Sequence, residues 1–228
     1  MNTHYTYFII LAASLAGPLA LSFDKKVAFY TKWRYLFPAM VLPAIFYIAW
    51  DSYFVEWDVW SFNEKYITGI KYWGLPLEEI LFFFVVPYCC VFIYECIRCY
   101  FPRIRNEKWS LGVLALLFVL LLVTGIVYYQ RSYTSYTFIL LSVCLLFFFL
   151  FRKYFPQFNT AVFLVSYAII LVPFLIVNGF LTAIPVVLYN GAENLGIRIY
   201  TIPLEDVFYG MLLIFLDIIL YETLRRSR

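Results

Sequence analysis

The chain has 228 residues, of which 64% are hydrophobic, 23% aromatic and only 14% charged, with a formal net charge of +3. A soluble domain carries about a quarter charged residues and about half apolar ones, so this composition excludes one. The single histidine, His4, argues against a His-based metal site or a Ser-His-Asp triad.

Apolar runs of spanning length recur along the chain. They predict helices over Tyr5–Leu21, Leu36–Trp50, Glu78–Ile97, Leu111–Tyr128, Thr134–Phe151, Ala161–Val177 and Pro203–Glu222. The first run has no basic segment before it, as a secretory leader would, and reads as a span. Lys25, Lys26, Lys32 and Arg34 follow the first run, and Arg98, Arg103, Arg105 and Lys108 the third. Arg152 and Lys153 follow the fifth, and Arg225, Arg226 and Arg228 the seventh. Lys65, Lys71, Arg131 and Arg198 fall on the other side. By the positive-inside rule this bias predicts a plasma-membrane protein with its N-terminus outside and its C-terminus in the cytoplasm, which requires an odd number of spans.

The chain repeats at an offset of 127 residues. Asn63 matches Asn190, and Gly69-Ile70-Lys71 matches Gly196-Ile197-Arg198. Pro76-Leu77-Glu78-Glu79 matches Pro203-Leu204-Glu205-Asp206, Tyr94-Glu95 matches Tyr221-Glu222, and Arg98 matches Arg225. The fold class that follows is an all-α integral membrane protein of about seven transmembrane helices. Two parallel three-helix repeats, residues 1–100 and 131–228, are joined by a linking helix within 101–130. An odd linking span gives both repeats one orientation, related by an axis along the membrane normal.

Both acidic motifs open the last helix of a unit. Counting back about 20 residues from the far end of each span puts Glu78, Glu79, Glu205 and Asp206 at the edge of the hydrocarbon, where carboxylates are costly and usually functional. Acids after a proline also cap a helix and oppose its dipole, and both readings hold together. Like charges close together in a low dielectric cannot all ionise, so one acid is expected to stay neutral and able to donate a proton. Adjacent helical residues point about 100° apart, so the expected pair takes one acid from each unit, such as Glu78 with Glu205. Aromatic residues surround these motifs, among them Trp60, Phe62, Phe82, Phe83 and Tyr209. Their π faces can stabilise a cation or simply form the interfacial belt. Glu95 and Glu222 each have an arginine three residues on and read as helix-end ion pairs, Glu95 with Arg98 and Glu222 with Arg225. Asp217 lies inside the last span. Cys89, Cys90, Cys96, Cys99 and Cys144 lie in or beside apolar runs and read as free thiols.

The residues Phe23-Asp24-Lys25-Lys26, Phe37-Pro38-Ala39, Trp50-Asp51, Trp60-Ser61-Phe62-Asn63, Tyr66, Gly69-Ile70, Leu75-Pro76-Leu77-Glu78-Glu79, Phe82-Phe83, Pro87 and Tyr94-Glu95 resemble the heterodimeric or fused lycopene cyclases over most of residues 5–97. The second half keeps Asn190, Gly196, Pro203-Leu204-Glu205-Asp206 and Tyr221-Glu222. It departs at Asn178, which stands where Asp51 would be, and at Leu188-Tyr189 in place of Ser61-Phe62. The resemblance implies a lycopene β-cyclase, an isomerase of carotenoid biosynthesis that closes the ψ ends of lycopene into β-rings through γ-carotene. It implies Glu78, Glu79, Glu205 and Asp206 as catalytic groups. Asp51, Trp60, Phe62, Asn63, Phe82, Phe83, Asn190 and Tyr209 are the expected substrate contacts. The expected partners are lycopene or a related carotenoid and membrane lipid, with no nucleic acid and no obligatory second subunit. The dinucleotide fingerprint of the flavoprotein cyclases is absent, so no flavin and no metal are expected. Cyclases forming ε- or γ-rings or acting on C50 carotenoids stay open, as does a proton-coupled transporter. A retinal-binding protein would need a lysine in the last span, and Pro203–Glu222 has none.

Overall fold

The computed structural model describes residues 3–104 and 108–226, so Arg105 and Arg228 of the basic clusters lie outside the described residues. The helices are α1 (Thr6–Leu21), α2 (Trp33–Glu56), α3 (Leu77–Tyr100), α4 (Lys108–Val127), α5 (Ser132–Phe151), α6 (Thr160–Ala183) and α7 (Leu204–Arg226). Seven helices among the described residues are long and apolar enough to cross a membrane. Helices α2 and α6 run further than the apolar pattern predicts. Asp51 therefore lies within α2 and not beyond its end, and Asn178 lies within α6. The apolar pattern ends α2 just before its first carboxylate, but that carboxylate is buried and has partners.

Six short strands make the connections: β1 (Trp60–Phe62), β2 (Lys71–Tyr72), β3 (Leu75–Pro76), β4 (Val187–Tyr189), β5 (Arg198–Ile199) and β6 (Ile202–Pro203). β2–β3 and β5–β6 are equivalent hairpins. The first turns on Trp73 and Gly74, both at positive φ, as a tight two-residue hairpin requires. Gly69 and Gly196 hold matching positive φ of 84° and 75°.

The repeats interleave. α1 packs on α3 as α5 packs on α7, while α2 crosses to α7 and α6 crosses to α3. β1 and β4 pair antiparallel, with Ser61 opposite Leu188, the residue 127 positions later. Two reciprocal bonds flank the ribbon: the Asn63 amide donates to the Val186 carbonyl at 2.9 Å, and the Asn190 amide to the Val59 carbonyl at 2.9 Å. Equivalent strands can pair this way only about a twofold axis through their centre. The ribbon thus marks the pseudo-axis and ties the units at one end.

An ion cluster ties them at the other end. Arg98 donates to Glu95 at 3.0 Å and to Glu222 of the other unit, Arg225 crosses to Glu95 at 2.9 Å, and Lys32 reaches Glu95 at 2.5 Å. The expected pair within one helix is present for Glu95 and Arg98, whereas Arg225 bridges to the opposite repeat instead of pairing with Glu222. Glu95 and Glu222 are buried. Removing Arg98 strips the inter-unit bond from Glu222. We predict that Arg98→Ala destabilises the detergent-solubilised protein by about 1–3 kcal/mol, allowing for the arginine's partial exposure, measured by thermal unfolding.

Candidate active site

At the ribbon end of the pseudo-axis lies a narrow cavity holding about 720 Å³ of non-atom space, its mouth included. Asp51, Glu79 and Asp206 all line it, from α2, α3 and α7. All three are buried, with Asp51 1% and Asp206 2% exposed. Removing carboxyl groups from water without partners would cost several kcal/mol each, so their hydrogen bonds define the site.

The Tyr7 hydroxyl donates to Glu79 Oε2 at 2.5 Å. The Tyr133 hydroxyl, from the matching helix of the second unit, donates to Asp206 Oδ1 at 2.5 Å. Asp206 Oδ2 also accepts from Tyr189 at 2.8 Å and from the Asn178 amide at 3.3 Å. Burial and the adjacent Asp206 carboxylate hold the Tyr189 hydroxyl well above its ordinary pKa near 10.0, so it remains a donor. The Asp51 and Glu79 carboxyls lie within hydrogen-bonding reach of each other, and the Tyr209 hydroxyl donates to Asp51. Two carboxyls can hydrogen-bond only through a proton held between them.

The repeat is broken here in a chemically directed way. Asn178 takes the place of Asp51, Tyr189 that of Phe62 and Tyr209 that of Phe82. The first unit thus presents two acids and the second presents one acid with three donors. Above them, Trp60 packs against Tyr133 at 5.1 Å between ring centroids and against Tyr209 at 5.9 Å. Tyr133 stacks on Tyr189 at 5.9 Å.

Of the residues predicted from sequence, Asp51, Trp60, Phe62, Glu79, Phe82, Asp206 and Tyr209 line the cavity. Glu78 and Glu205 do not, and the expected Glu78–Glu205 pair gives way to Glu79 with Asp51, facing Asp206. The reason is the 100° step between neighbours on a helix, which turns the first acid of each motif toward its own loop. Glu78 accepts from the Thr68 amide at 2.7 Å. Glu205 accepts from the equivalent Leu195 amide at 2.7 Å and from the Thr134 hydroxyl at 2.6 Å. Asn63 and Asn190 also serve loops, their side-chain oxygens accepting from the Lys65 and Ala192 amides at 3.1 and 3.0 Å. Phe83 lies in the core against Tyr47.

The sequence reading missed Tyr7, Tyr133 and the role of Tyr189. Tyr7 and Tyr133 are 126 residues apart, one out of register with the repeat. They are found by aligning the first turns of α1 and α5 after allowing one gap.

The two acids of each motif are therefore separable. Glu205→Ala leaves a buried amide and a buried hydroxyl without their acceptor, and we predict a loss of about 1–3 kcal/mol in thermal unfolding. Asp206→Asn is predicted to insert and unfold close to the unmodified protein while losing turnover.

The lycopene cyclase family model matches residues 4–97 and 130–224, one segment per repeat. Lycopene beta-cyclase of Halobacterium salinarum is 38% identical over 82 residues, 35% of this chain and 35% of that protein. The bifunctional lycopene cyclase/phytoene synthase of Phaeosphaeria nodorum is 36% identical over 47 residues, 21% of this chain and 8% of that protein. The Leptosphaeria maculans protein of the same description is 32% identical over 95 residues, 40% and 15% respectively. The matched stretches span about a third or less of these relatives' own lengths. No solved structure matches. With both repeats matched in order, and a membrane-spanning fold built on those repeats, the chain belongs to the lycopene cyclase family.

Proposed function

We propose that the protein is a lycopene β-cyclase that converts lycopene to β-carotene through γ-carotene by proton-initiated ring closure. The observation that carries this reading is the convergence of Asp51, Glu79 and Asp206 on one aromatic-walled cavity. The Asp51–Glu79 pair holds a proton and delivers it to the terminal double bond of a ψ end group. The resulting tertiary cation is attacked by the nearby internal double bond, which closes a six-membered ring and moves the charge to a ring carbon. Loss of a ring proton then forms the β-ring double bond. One proton enters and one leaves, so the reaction is an isomerisation with no redox change.

Asp206, provided with three hydrogen-bond donors, acts as the counter-anion to the cation and as the proton acceptor. The π faces of Trp60, Tyr133 and Tyr209 stabilise the cation by its attraction to aromatic quadrupoles, and the enclosed site keeps water from quenching it. Glu78 and Glu205 position the motifs without touching substrate. The residues named act without a resident cofactor. Both repeats contribute to one cavity, so the two ends of lycopene react in turn and a monocyclic intermediate leaves or turns round between closures. The basic clusters support a plasma-membrane orientation with the ribbon end outside.

Expression in a host that accumulates lycopene, with pigments separated by chromatography, tests the activity. The expected product is β-carotene, and an unchanged lycopene peak despite normal membrane accumulation would overturn it. In the same host Asp51→Asn, Glu79→Gln and Asp206→Asn are each predicted to lower conversion at least 100-fold, consistent with the usual contribution of a general acid or base. Glu78→Gln is predicted to retain measurable conversion.

A further inference from the structure

A second void adjoins the acidic cavity. It lies between α1, α3 and α6, holds about 640 Å³ of non-atom space with its mouth included, and is lined by Ser14, Pro18, Cys89, Cys90, Ile93, Pro173 and Val177. Four further lining residues, Val86, Ile170, Phe174 and Asn178, also line the acidic cavity, so the two voids meet at these side chains. No lining residue of the second void is formally charged. Its polar groups are largely occupied: Ser14 donates to the Ile10 carbonyl at 2.7 Å, Cys89 to the Ser14 carbonyl at 3.5 Å, and Asn178 to Asp206 at the junction. Pro173 is exposed, which opens the void sideways between α1 and α6.

The combined trough is long as well as apolar. On α3 its lining runs from Glu79 to Ile93, and on α1 from Tyr7 to Pro18. At 1.5 Å per residue these are about 21 Å and about 16 Å of helix. It therefore has acids and aromatic rings at one end and a plain hydrocarbon wall beyond them. An amphiphilic lipid would meet no headgroup partner in this lining, whereas a rigid linear hydrocarbon would fill it.

We propose that the void between α1, α3 and α6 is the channel for the polyene tail of the substrate, entered sideways from the bilayer, and that it holds the chain while one end group reacts among the acids. This inference rests on the cyclase reading and assigns Ile93, Val177 and Cys89 as tail contacts. The channel selects for a long, extended chain without polar groups behind the reacting end.

The test has two arms. In the first, Ile93→Trp fills the channel at the end far from the acids and Val177→Trp fills it beside the junction at Asn178. Ile176→Trp places the same bulk on the neighbouring exposed face of α6, where Ile176 is 56% exposed. In lycopene-accumulating cells, normalised to protein in the membrane, the two filled variants are expected to convert at least tenfold less than the unmodified chain. The Ile176 variant is expected to match it. Equal conversion by all four proteins overturns the proposal, and so does an equal loss in all three variants.

The second arm reads occupancy without turnover. A variant with Cys90, Cys96, Cys99 and Cys144 replaced by alanine keeps Cys89 as its one thiol. In vesicles its alkylation by N-ethylmaleimide is expected to slow at least threefold when lycopene is added. Unchanged labelling overturns the proposal, and this arm decides alone if the tryptophan variants fail to accumulate. An unmodified chain that leaves lycopene uncyclised would instead refute the cyclase reading, whatever Cys89 reports.

Discussion

A carboxyl group buried in an apolar bundle is costly unless a partner supplies a proton or a hydrogen bond, because hydrocarbon offers neither. That requirement organises this protein. Tyr7, Tyr133, Tyr189, Tyr209 and Asn178 are drawn from α1, α5, β4, α7 and α6 to meet three acids from α2, α3 and α7. Six of the seven helices and the ribbon are thereby committed to one cavity. The loops that set these helices in register are held by the other two acids, Glu78 and Glu205, which fasten onto backbone amides ten residues earlier.

The duplicated architecture supplies the convergence, and its imperfection makes the two walls of the cavity chemically different. A faithful twofold repeat would bring two Asp–Glu pairs to the axis, four carboxyls crowded in a low dielectric. Replacing one aspartate by Asn178 removes a charge and adds a donor at the same place. Replacing phenylalanines by Tyr189 and Tyr209 adds two more donors, one for Asp206 and one for Asp51. The result is a polarised cavity with an acid pair on one wall and, on the other, a buried carboxylate held by three protein donors. This is the arrangement that a reaction with separate protonation and deprotonation steps needs.

The ties at the two ends of the bundle differ in kind. The ribbon end is joined by backbone hydrogen bonds, which fix spacing tightly and carry Trp60 and Tyr189 to the cavity rim. The opposite end is joined by arginine–glutamate bonds that cross between repeats. Between them the helices pack mainly by apolar contact, with a few hydrogen bonds across helices such as that from the Tyr47 hydroxyl to the Tyr209 carbonyl at 2.9 Å, and Asp217 is buried with no hydrogen-bond partner among the described residues.

Much of this was legible in the amino-acid sequence. Long apolar runs have one stable solution in a bilayer, a spanning helix, so seven spans follow from hydropathy. The repeat follows from residues kept at a constant spacing, and the acidic motifs from being charged where charge is costly. What required the tertiary structure was the division of labour within each motif. Glu78 and Glu79 are neighbours with the same chemistry, and only the rotation of α3 about its own axis decides that one faces a loop and the other the cavity. Asp51 looked like a helix-end residue because a carboxylate within a span is unfavourable until its partners are known, and those partners come from other helices. The tyrosines were hidden for the same reason: a hydroxyl distant in sequence becomes part of a site only when packing carries it there.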